Sequence, residues 1–108
     1  MQTALAELEK CYFTLQFQLD MLSAACQTQG QRDALSAQYV KARQAYWSCV
    51  NKAFHDDDPQ VASLTKQLDT ANANLKVAVQ QLGNISKVID DITQAVSIAA
   101  SLAKMVIP

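Results

Sequence analysis

In three runs between Leu5 and Val106, apolar side chains recur at alternating spacings of three and four residues, the signature of one face of an α-helix. Nothing else in the chain restricts its fold as strongly. In the first segment Leu5, Leu8, Tyr12, Leu15, Leu19, Leu22 and Cys26 keep the pattern. Gln27-Thr28-Gln29-Gly30 ends that run, with Gly30 expected as a left-handed C-terminal cap. The pattern resumes at Leu35, Tyr39, Ala42, Tyr46, Cys49 and Ala53, and His55-Asp56-Asp57-Asp58-Pro59 stops it. Asp58 then reads as an N-cap and Pro59 as the first residue of a third helix.

The third segment holds its phase from Val61 through Leu68, Leu75, Leu82, Ile89 and Val96 to Val106, about seven heptads of coiled-coil-like character. The spacing predicts an all-α protein, an antiparallel helical bundle in one domain over 1–108, with helices near 3–28, 31–55 and 59–107. As a single helix, 59–107 would run about 73 Å at roughly 1.5 Å per residue. Gly83-Asn84 is a stop-and-restart signal, and a break there would give four helices of nearly equal length, a four-helix bundle. The unbroken phase across Leu82 and Ile85 favours the continuous helix.

Two apolar stripes exceed what one seam can bury. Folding the first two segments as an antiparallel hairpin about Gly30 sets Phe13 level with Trp47, and Met21 level with Tyr39 and Val40. Phe13, Phe17, Met21, Val40, Trp47 and Phe54 then form one interaction surface off the main seam. Beyond Ile85 the last segment also widens, and Val88, Ile92, Val96, Ile98, Leu102 and Val106 form the second. A large apolar side chain gains about 1.5–3 kcal/mol on full burial, so both stripes require cover. The cover is the chain's own bundle, a second copy through the long third helix, or a membrane or larger protein.

The remaining composition is quiet. Of 108 residues 50% are hydrophobic and 18% charged, with two glycines and two prolines, which argues against disorder and against turn-rich β folds. A net charge of −1 with nine scattered Lys and Arg excludes a dedicated nucleic-acid binder. His55 with Asp56, Asp57 and Asp58 lacks the alternating ligands of a calcium loop and reads as helix-terminal and capping residues, not a metal site. Glu7 and Glu9, the only glutamates, sit two apart and share no helix face. Cys49 and His55 diverge by about 120° on a helix, which excludes a nucleophile pair. No catalytic residue, cofactor or metal is expected.

Three cysteines, Cys11, Cys26 and Cys49, read as reduced, buried thiols; the hairpin also sets Cys11 level with Cys49, where an oxidising compartment would allow a disulfide. Neither a basic-then-apolar leader nor an uninterrupted apolar span occurs, the best stretch, 92–107, carrying Lys104 and several polar residues. The expectation is therefore a cytoplasmic protein, with release by a signal-independent route left open. The first functional reading is a non-enzymatic interaction or structural protein that self-associates, or meets a helical partner, through its apolar faces. In architecture, the leucine-patterned hairpin followed by an apolar helix resembles pieces of helical-bundle toxins and secretion accessory proteins. That resemblance implies the second reading, a membrane-active or membrane-docking bundle using 85–107.

Overall fold

The computed structural model describes residues 3–107. It contains α1 (Ala4–Ala25), α2 (Gln29–Trp47), α3 (Pro59–Ala78) and α4 (Ile85–Ala103), with a single 3-10 turn at Leu82–Asn84. Each helix starts on a polar cap. Thr3 accepts from the Ala6 N–H, and Asp58 accepts from the N–H groups of Gln60 and Val61, the two residues that follow Pro59. Asn84 accepts from the Lys87 N–H. At α2, Thr28 and Gln31 form a reciprocal capping box, each side chain accepting from the other's backbone N–H.

That box corrects the expected role of Gly30. The helix starts at Gln29, so Gly30 lies inside its first turn, and no glycine has a positive φ. Cys26 ends α1 instead, in extended conformation with its N–H on the Leu22 carbonyl at 3.2 Å. The second helix also stops earlier than expected, at Trp47 rather than near 55. Its successor α3 packs against α1 and α4, not alongside α2, so the chain must leave α2 and cross the end of the bundle through residues 48–58.

The continuous third helix is overturned as well. The chain reverses between Ala78 and Ile85, and α4 packs back along α3. The molecule is 42 Å in its longest dimension, against the roughly 73 Å of an unbroken helix. The gain is burial: Ile85, Val88, Ile92, Ala95, Val96, Ala99 and Leu102 all lie in the core. At about 1.5–3 kcal/mol per large apolar side chain, this outweighs the backbone hydrogen bonds that a reversal interrupts. Gly83 stands in the reversal without needing glycine's freedom, because a Cβ there meets nothing within 4 Å and its φ is ordinary. Gly83→Ala should therefore raise stability by about 0.4–1 kcal/mol in urea denaturation, through the unfolded chain. A lower urea midpoint would show that the turn depends on glycine.

The helices alternate up and down. At one end Gln31 Nε2 donates to Ser86 Oγ at 3.2 Å, joining the α1–α2 and α3–α4 turns. At the other end the 48–58 segment meets both neighbours: Asp56 Oδ1 accepts from the Ala4 N–H at 3.0 Å, and the Ile107 N–H donates to the Ala53 carbonyl at 2.9 Å. Helices α1 and α4 touch each other and both remaining helices, so they form the middle of the bundle with α2 and α3 on its flanks.

Candidate functional site

Among the described residues no group of three or more His, Cys, Asp or Glu gathers to hold a metal ion. His55 and Asp57 are exposed, while Asp56 and Asp58 are engaged at the N-termini of α1 and α3, where acceptors for free N–H groups are favourable. Cys11, Cys26 and Cys49 are buried free thiols, and the Cys11–Cys49 disulfide is not formed. Cys49 Sγ turns instead to the Ala103 carbonyl of α4 at 3.7 Å. Burial pushes the Cys11 thiol up to about 12, so it stays protonated and is no nucleophile at neutral pH.

The two expected surfaces have opposite fates. On the C-terminal stripe Val88, Ile92, Val96 and Leu102 are core residues, and Ile98 and Val106 are half-buried against it. This is a correction: α2, α3 and α1 of the same chain cover that stripe, so it is not an outer face. The hairpin stripe stays open. Phe17 is 80% exposed, Met21 56%, Trp47 54% and Val40 45%, and the only other exposed large apolar side chain among the described residues is Val77, on α3. Phe13 and Phe54 are half-buried and packed on the core, Phe54 because the chain has left α2 before reaching it.

A continuous row of rings anchors this face. Tyr12 stacks on Tyr46 with centroids 5.7 Å apart, and its ring lies 5.9 Å from that of Tyr39. Phe13 bridges outward, 5.7 Å from Tyr46 and 6.1 Å from Phe17, and Trp47 meets Tyr46 edge-on at 5.4 Å. Buried Tyr12 and Tyr46 thus support exposed Phe17 and Trp47, and the outer rings rest on rigid ones. The Tyr12 phenol is lowered, first by the Tyr39 hydroxyl and then by the Trp47 indole N–H; Tyr39 is raised, first by Tyr12 and then by burial. Beside the row, Val40, Arg43, Gln44 and Trp47 surround a shallow hollow of 290 Å³. A second hollow, of 430 Å³, lies along α1 between Glu9, Lys10, Phe13, Thr14 and Phe17.

One polar feature escaped the periodicity. Glu7 is 0% exposed, with Lys10 Nζ 3.2 Å from its Oε2. Asn72 Nδ2, from α3, donates to the Glu7 carbonyl at 3.0 Å and to its Oε1 at 3.2 Å. The signal was present in the spacing: Asn72 lies four residues after Leu68 and three before Leu75, on the seam itself.

Fold and face together define a four-helix all-α bundle with an aromatic outer hairpin. No family model, no curated protein and no solved structure matches the chain.

Proposed function

We propose that this chain is a non-enzymatic interaction protein that self-associates through the outer face of its α1–α2 hairpin. The observation that supports this is that exposed Phe17 and Met21 stand on α1 and exposed Val40 and Trp47 on α2, in a chain whose other large apolar side chains, Val77 apart, are covered among the described residues. Exposed large apolar side chains gathered on two neighbouring helices favour association, and aromatic side chains carry a large share of interface energy. The membrane reading gains less support: among the described residues no helix is long and apolar enough to cross a membrane, and 85–107 would have to leave the core to act on one.

The test is size-exclusion chromatography with light scattering over a concentration series, in reducing buffer. The wild-type chain should show a mass of two or more chains. The variant Phe17→Ser/Met21→Ser/Val40→Ser/Trp47→Ser should run at the single-chain mass of 11.8 kDa. Its far-UV spectrum should remain helical. A wild type at single-chain mass at every concentration would overturn self-association.

A further inference from the structure

We infer that the outer edge of α2 is a docking site for a short acidic segment of another protein. Arg43 takes a carboxylate of that segment, and a neighbouring apolar side chain seats between Val40 and Trp47. The inference goes beyond self-association and does not depend on it. Val40, Arg43, Gln44 and Trp47 stand at i, i+3, i+4 and i+7 of one helix, so a single face of α2 carries all four. Together they surround the open hollow of 290 Å³. Pockets that enclose a small molecule run to about 300–1,000 Å³, so this one suits a single side chain of a larger partner. Its aromatic wall is preformed, because the Trp47 ring is braced edge-on by buried Tyr46 at 5.4 Å between centroids.

Charge decides the kind of partner. Arg43 is the only charged residue lining the hollow, and exposed Lys41 lies three residues before Gln44 on the same side of the helix. Among the described residues the ion pairs are Lys10–Glu7 and Lys87–Asp91, so Arg43 and Lys41 are both unpaired. The single acid of α2, Asp33, lies nearly three turns before Arg43 and accepts from Gln29 Nε2 at 2.9 Å. An unpaired guanidinium offers a planar fork of donors that matches a carboxylate. Two cations are too few for a lipid surface, whose recognition takes clusters of roughly four to eight basic residues, and too few for a nucleic acid. Tryptophan beside arginine is instead the composition of a protein interface centre.

Trp47 is the chain's one tryptophan, so the site reports on itself. The full chain, kept below any concentration at which it self-associates, is titrated with a capped helical peptide of leucine, glutamate and alanine. Its emission should move to the blue and saturate as the indole is covered. Arg43→Gln should weaken binding roughly tenfold or more, and so should a peptide with glutamine in place of every glutamate. Val40→Ser should weaken it as well, and Lys76→Gln, a charge change on α3, should not. Far-UV spectra and urea midpoints confirm that the variants fold. Equal binding of the glutamine peptide, or unchanged binding by Arg43→Gln, overturns recognition of an acid. A blue shift on phosphatidylserine vesicles with none on the peptide overturns the inference in favour of a membrane surface, and no shift with either overturns it outright. Light scattering of the chain alone separates the two readings. A single-chain mass with peptide bound strikes only self-association, and a self-associating chain that ignores the peptide strikes only the docking site.

Discussion

Ile92→Asp should abolish the native fold. Ile92 is fully buried on α4, the helix that touches α1, α2 and α3 at once. Truncation to alanine alone would cost about 2–5 kcal/mol, from lost transfer energy and the cavity left behind. An aspartate there must either lose its charge or carry it unpaired into the core, which costs several kcal/mol more. A chain of this size has about 5–15 kcal/mol of stability in all, so little native state survives. Adding Val96→Asp, also buried, removes the remainder. The readout is loss of far-UV helicity and collapse of amide chemical-shift dispersion. Phe17→Ser is the control: it removes an exposed ring and should shift stability by no more than about 0.5 kcal/mol. An Ile92→Asp/Val96→Asp chain that stays helical and cooperative, with only its oligomeric mass reduced, would restore the C-terminal helix as an interface and sink the bundle.

The contrast between these two substitutions marks where sequence periodicity stops being informative. Spacing says which side chains turn toward a core, and Leu8, Leu15, Leu22, Leu35, Leu68, Leu75 and Ile92 all do. It does not say whether the helix axis reverses between two residues of that face, because Leu75 and Ile85 point inward in a hairpin as they would in a continuous helix. The reversal at 79–84 was thus invisible to phase and legible only in Gly83-Asn84, a weak local cue. The broad stripe on α4 did signal cover on more than one side, but the cover is the rest of the same chain. Local cap chemistry was more faithful where it involved side-chain acceptors. Asp58-Pro59 starts α3 as its residues dictate, whereas Gly30 gave way to the Thr28–Gln31 box two residues earlier. The period-seven stripe Val40, Trp47, Phe54 held only as far as α2 did. Its first two members stay exposed, and Phe54 turns against the core from an irregular segment.

The buried pair of Glu7 and Asn72 should behave as a unit in a double-mutant cycle. Asn72→Leu removes the donor that meets both the Glu7 carbonyl and Oε1, leaving a fully buried carboxylate with Lys10 alone. Lys10 is largely exposed, and water screens its attraction, so it compensates little. The cost should be about 1–3 kcal/mol, toward the upper end because the acceptor is a carboxylate. Glu7→Met should also destabilise, since it leaves the Asn72 amide beside an apolar chain with its Oδ1 already lacking any hydrogen-bond partner. The combined Glu7→Met/Asn72→Leu chain removes every buried polar side-chain atom of the pair, leaves the Glu7 carbonyl within α1, and keeps the volume. Buried polar pairs replaced in this way are often neutral or gain roughly 1–4 kcal/mol. The double variant should therefore match or exceed the wild-type urea midpoint, with a coupling of about 0.5–3 kcal/mol between the sites. Strict additivity of the two losses would show that the residues act separately. Coupling would mean that α1 and α3 are held in register by a polar contact whose replacement by apolar packing leaves the bundle no less stable.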